Sequence, residues 1–388
     1  MKRHTTFVVC LTAALCTASA AFAQSDASLQ GSDNSSPVSY VYVSGGTVNN
    51  YEIYAFEAAS DGKLTPVSGS PFRGFGNYGM AVNGKYLFGT DEVYIYTFAI
   101  ASDGAIKQVA TINAQQYNNP NFVGGPAALF VDHTGATLYD FDYDGYNDTN
   151  GDYQSFGIDD STGELTYLGV SSSSNWFFDP LSFIGNNIDA YGASCIADLY
   201  WTIYGFQRNT DGTLTALDIN PEPPNAKSGD FYCPNLTTTD QTNHVAISMQ
   251  AVNQNFEPDG LPQLAAYTAD ASGNLTTKNT WFNMPHTAIQ YIFDMRMSPS
   301  GKLLAVGGAY GLQVFHFNGS EPVTHYTGLL TENTIQHLFW DNDNHLYAIT
   351  PNGNALFVFT VTPTGVRQAP GSPYTIPQPM NITVLPKN

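Results

Sequence analysis

Residues 51–65 read YEIYAFEAASDGKLT. Apolar and polar side chains alternate along the first eight residues, the period of a strand with one buried face. Asp61-Gly62 then supplies the positive φ that a tight hairpin needs, and Leu64-Thr65 opens the returning strand. The same unit recurs down the chain. VYIYTFAI from Val93 precedes Asp103-Gly104, YQSFGID from Tyr153 precedes Thr162-Gly163, and WTIYGFQ from Trp201 precedes Asp211-Gly212. QLAAYTA from Gln263 precedes Ser272-Gly273, LQVFHFN from Leu312 precedes Asn318-Gly319, and ALFVFTV from Ala355 precedes Thr364-Gly365.

A third strand lies upstream of each hairpin, from YVYVSGG at Tyr40 to HLYAITP at His345. A fourth precedes six of these, near 79–82, 127–131, 181–184, 235–239, 294–298 and 336–340. The first repeat lacks it, and the missing copy stands at the far end as Asn381-Ile-Thr-Val-Leu385. This pattern predicts an all-β chain: a seven-bladed β-propeller of four-stranded antiparallel blades, with the C-terminal strand completing the N-terminal blade. Closure pairs the two ends and leaves only short blade edges, which removes the aggregation hazard of an open sheet. The propeller is expected to span 38–388 as one domain.

The chain has 388 residues, with 43% apolar and 13% aromatic side chains, enough to bury a large core. It carries 13 Lys+Arg against 33 Asp+Glu, a formal net charge of −20. That balance argues against nucleic acid or an anionic membrane as partner, because phosphate binding needs clustered cations. Residues 1–23 read as a secretory signal: Lys2 and Arg3 at the start, an apolar run from Phe7 to Ala21, and Ala21-Phe22-Ala23 as cleavage site. Residues 24–37 are small and polar and read as a flexible tether. The expected location is therefore secreted or periplasmic. In such a compartment the two remaining cysteines, Cys195 and Cys233, are expected to form a disulfide.

Several stretches resemble the lactonase-type seven-bladed propellers, the group of 6-phosphogluconolactonase-like and muconate-cycloisomerising proteins. They are Tyr40-Val-Tyr-Val-Ser44, the Asp-Gly-x-Leu-Thr hairpins, Gly69-Ser-Pro-Phe72 with its echo Gly371-Ser-Pro-Tyr374, and Ser298-Pro-Ser-Gly-Lys-Leu-Leu-Ala-Val306. The resemblance covers nearly the whole chain after the tether and implies fold before activity. It also implies lactone chemistry carried by His, Arg and carboxylate groups near the channel mouth. Of the Pro-His pairs that such enzymes place ahead of inner strands, this sequence keeps Pro285-His286, with Gly125-Pro126 and Cys233-Pro234 standing where others would be.

Nearly all extra length falls in two kinds of connection: outer strand to next blade, and second to third strand. Strand alternation puts both on one face, where a binding surface is expected. Ligand-binding candidates there are Arg73, Tyr78, Phe122, Trp176, Asp179, Asp230 and Trp281. His286, Asp294 and Arg296 make the candidate catalytic set: a base to activate water and a cation for the oxyanion. Asp294 and Arg296, two apart on one strand face, could equally pair with each other.

Most cations, such as Lys63, Lys107, Lys278 and Arg367, sit beside the outer hairpins, which disfavours a phosphorylated substrate. Asp140-x-Asp142-x-Asp144-Gly145-x-x-Asp148 has the oxygen spacing of a calcium loop, so a structural Ca2+ is the one cofactor the sequence suggests. The functional expectation is a monomeric binding module for a small neutral molecule, a carbohydrate or an extended peptide, or for a protein. The alternative is a lactone hydrolase acting on an uncharged lactone.

Overall fold

The computed structural model describes residues 36–47, 50–91, 93–117, 126–142, 152–172, 180–196, 200–219 and 221–387. Their strands form seven antiparallel sheets of four strands, and in six of them the strands follow sequence order along the blade. Two sheets add a fifth, two-residue strand, Phe72–Arg73 and Tyr374–Thr375. These short strands follow the echoed Gly-Ser-Pro motifs. In each motif the serine hydroxyl accepts a backbone N–H from the third strand, Ala55 N to Ser70 at 2.9 Å and Val358 N to Ser372 at 2.9 Å.

Closure occurs as the sequence pattern predicts. Strand Asn381–Pro386 runs antiparallel to Ser39–Thr47, with Leu385 opposite Tyr40 and Ile382 opposite Val43. The N-terminal blade therefore takes its innermost strand from the other end of the chain. The remaining inner strands are Gly79–Val82, Pro126–Val131, Ser182–Phe183, Phe231–Thr239, Ile292–Met297 and His337–Trp340.

The core is a ring. Seven separate apolar clusters lie one between each pair of neighbouring blades. The cluster joining Val41 and Val384 of the first blade to Tyr347 and Leu356 of the seventh seals the ring. Both faces of each blade are covered, which is why alternation gives way to uninterrupted burial in second strands such as Leu303–Gly308.

The recurrent Tyr and Gly have a shared purpose at these seams. Tyr42 donates its hydroxyl to Gly104 O at 3.0 Å, Tyr139 to Gly212 O at 2.7 Å, and Tyr191 to Gly273 O at 2.8 Å. Each bond ties a second strand to the outer hairpin of the next blade. Gly104 has φ 79°, and a Cβ there would lie 2.4 Å from the Tyr40 ring, so both conformation and space demand glycine.

Cys195 and Cys233 form the expected disulfide, with Cα atoms 5.3 Å apart, linking the fourth blade to the inner strand of the fifth. Among the described residues no helix is long and apolar enough to cross a membrane.

Candidate functional site

The inner strands surround a central cavity of about 640 Å³, within the range of small-molecule sites. Its wall among the described residues holds one arginine and no lysine. That arginine, Arg296, sits on the sixth blade beside Asp294, with its Nε 3.1 Å from Asp294 Oδ1. Two residues apart on one strand, the two side chains share a face.

Just ahead of them the strand is irregular. Ile292 pairs with Gly308 and Asp294 with Gly307, leaving Phe293 as the extra residue of a bulge. A bulge re-aims the side chains around it. Here Phe293 lines the cavity, 41% exposed, while Asp294 turns toward the seventh blade.

Asp294 is held from several sides. Its Oδ1 accepts Met295 N at 2.8 Å, and its Oδ2 accepts Leu338 N, from the seventh blade, at 2.9 Å. Nδ1 of His337 faces the same Oδ2 at 3.7 Å. Burial alone would raise the pKa of this carboxyl. Arg296, His337 and the Leu338 N–H outweigh burial, and the net displacement is below the ordinary carboxylate value. Asp294 is thus a fixed anion, with its side chain only 11% exposed.

Arg296 keeps 45% of its side chain exposed, and its guanidinium lies 5.7 Å from the centroid of the Phe339 ring. The Trp340 indole donates to Arg296 O at 3.1 Å, fixing the backbone beneath it. His337, 32% exposed, presents Nδ1 to the carboxylate, so Nε2 lies on the opposite edge of the ring.

The structure therefore brings Asp294, Arg296 and Tyr78 to the cavity wall and places others elsewhere. His286 is exposed on the connection into the sixth blade, where its Nδ1 lies 3.1 Å from Leu261 O. It is not part of the wall, and His337 is the histidine beside Asp294. Arg73 pairs opposite Glu52 on the first blade, outside the wall. Trp281 stacks on Phe282, with centroids 3.7 Å apart, and packs against the core between the fourth and fifth blades. Asp230 precedes the fifth inner strand, bonded through its N–H to Lys227 O.

Phe122, Trp176, Asp179, Asp144 and Asp148 lie outside the described residues. Asp140 is buried within its strand, and Asp142 ends that strand opposite Asp152. Among the described residues no three His, Cys, Asp or Glu side chains gather as a metal site.

Sequence reasoning does not single out His337, because the contact that marks it, to Asp294, runs across a blade seam. The signal was present: Asp294-x-Arg296 and His337-x-Phe339 occupy corresponding stretches of consecutive inner strands.

No family model matches the chain, and no curated protein matches it. Solved structures do. A candidate 6-phosphogluconolactonase from Bacteroides uniformis aligns with TM-score 0.64 and 12% identity, over 89% of this chain and 99% of that one. A periplasmic gluconolactonase from Pseudomonas aeruginosa aligns with TM-score 0.65 and 13% identity, over 89% and 99%. A hypothetical selenium-binding protein from Sulfolobus tokodaii aligns with TM-score 0.58 and 11% identity, over 90% and 94%. The propeller fold is shared, and proteins of different names share it, so function has to come from the site.

Proposed function

We propose that the protein opens an uncharged lactone in the central cavity. The observation that carries this reading is the Asp294–Arg296–His337 set: a histidine turned toward a buried carboxylate, beside a half-exposed guanidinium. His337 Nε2 takes a proton from water as the water attacks the lactone carbonyl carbon. The oxyanion forms against the Arg296 guanidinium. The ring C–O bond then breaks, the departing alkoxide takes the proton back from His337, and the product is an open hydroxy acid. Asp294 holds the imidazole in place and stabilises its protonated form while the intermediate exists.

A single cation among the described wall residues favours an uncharged substrate over a phosphorylated one. The lactonase names of two structural relatives agree with the reaction class. The disulfide supports an exported protein working in an oxidising compartment.

A second reading, binding without turnover, draws on Asp294 itself. Two backbone N–H groups and Arg296 hold it as a structural tie between blades. Hydrolysis of neutral lactones followed by proton release separates the two. Turnover is expected in the wild type and should fall by about a hundredfold or more in His337→Ala and in Arg296→Ala. Full activity in His337→Ala, or an inert wild type, removes the hydrolase.

A further inference from the structure

Exposed aromatic rings gather on one face of the molecule. Among the described residues the exposed Tyr and Phe side chains are Tyr78, Tyr94, Phe282, Tyr291, Phe293 and Tyr310. Each lies on a connection into an inner strand, at that strand's entry, or where the second strand turns into the third. That is the face of the longer connections. The opposite face exposes Ile188 and Val366 but no Tyr, Phe or Trp among the described residues. Single exposed apolar residues are ordinary, whereas rings collected on one face mark an interaction surface.

Four of these rings stand over the fifth and sixth blades. Phe282 and Tyr291 share the connection that crosses from one blade to the other. Tyr291 O accepts Ala309 N at 2.8 Å, which sets the tip carrying Tyr310 beside it. Phe293, the bulge residue two positions on, joins the group to the cavity mouth.

Tyr310 is the telling member. Its φ is 67°, a left-handed conformation that a bulky residue adopts only at a cost and glycine adopts freely. The side chain is 67% exposed, so packing gives little in return. Neither the turn nor the core calls for tyrosine here.

Carboxylates flank the rings. Glu332 follows Thr331, which pairs with Leu312, so it stands beside the Tyr310 tip. Glu257 and Asp259 lie on the link between second and third strands of the fifth blade, just before Leu261, whose carbonyl faces His286 Nδ1 at 3.1 Å. Two cations on this face are already matched: Lys227 with Asp259 at 3.4 Å, and Arg296 with Asp294 at 3.1 Å. Aromatic faces and carboxylates attract the same partner, since a guanidinium stacks on a ring and pairs with an acid. A second copy of this chain would bring its own charge of −20 and be repelled.

We infer that this face docks an arginine-bearing segment of a partner protein, with guanidinium groups laid on Phe282, Tyr291 and Tyr310 and steered there by Glu257 and Glu332. The inference stands apart from the lactone reading: the cavity can be inert while the platform binds, and the reverse.

Calorimetry on the whole protein uses a twelve-residue peptide of alternating Arg and Ser, the same peptide with Gln in place of Arg, and cellohexaose as a neutral glycan. The arginine peptide should bind, and the other two about tenfold more weakly or worse. Phe282→Ser and Glu332→Gln should each weaken it by about fivefold. Tyr310→Gly should weaken it as much without lowering the melting temperature, because glycine suits a φ of 67°. That outcome separates lost recognition from lost folding. Asp103→Asn, on the opposite face, should leave the affinity unchanged.

Equal affinity for the arginine peptide in wild type, Phe282→Ser and Tyr310→Gly would mean diffuse attraction to an acidic chain, and overturns the inference. A preference for cellohexaose, or no binding of the arginine peptide, overturns it as well.

Discussion

Asp341 offers the sharpest test of how the ring is held closed. Its carboxylate is buried at the seam between the seventh and first blades. Oδ1 accepts Asp343 N and His345 N, both at 2.9 Å. Oδ2 accepts His345 Nδ1 at 2.7 Å, the Tyr347 hydroxyl at 2.8 Å and, from the first blade, the Ser39 hydroxyl at 3.1 Å. Asp341→Asn keeps the shape and one acceptor but turns an NH2 group toward three donors.

The two hydroxyls can rotate and accept instead. His345 cannot adapt. Its Nδ1 would have to become the acceptor and its proton move to Nε2, which is buried without a partner. One orphaned N–H costs about 1–3 kcal/mol, and the lost charge-assisted bonds add to it. The expected destabilisation is about 3 kcal/mol. In urea, with m near 3 kcal/mol/M, the midpoint should fall by roughly 1 M.

Burial raises the Asp341 pKa, but His345 and the Tyr347 hydroxyl outweigh it and leave the carboxyl depressed. A depressed carboxyl stabilises the fold above its unfolded value, and that contribution disappears as pH falls through the folded value. The gap between wild type and variant, full at neutral pH, should therefore close on acidification. Asp103→Asn, at an exposed hairpin that suits either residue, is the control and should leave the midpoint in place. A midpoint shift below about 0.3 M, or a gap that persists in acid, refutes the reasoning.

Two further outcomes follow from the same structure. Cys195→Ala removes a link across 38 positions; the chain-entropy model puts its worth at roughly 4 kcal/mol, and thermal unfolding of oxidised wild type against the variant should show the loss. Asp294→Asn should depress lactone turnover by about a hundredfold while leaving secondary structure by circular dichroism intact; wild-type turnover in this variant would remove Asp294 as the group that positions His337.

The blades were legible because their signals are local. A period of two, an x-Gly turn and a strand missing from the first repeat can each be read within a few residues. The disulfide followed from counting cysteines against the compartment. The site was legible only in part, because its contacts cross from blade to blade. Asp294 and Arg296 are two apart in sequence, so their pairing could be foreseen. His337 meets Asp294 from 43 positions downstream only because the sixth and seventh inner strands stand side by side around the axis. His286 is much nearer in sequence yet belongs to a connection held at Leu261.

The shared first blade also governs when the molecule can be finished. Lys387 Nζ reaches the Tyr40 hydroxyl at 3.0 Å across 347 positions of chain. During synthesis the opening three strands must wait, with a bare hydrogen-bonding edge, until the last few residues arrive, and that final pairing bridges almost the longest loop the chain can form. Clipping the tail is therefore unlike trimming an ordinary terminus: it unbuckles a belt, and the strip left behind has two raw ends where it had none.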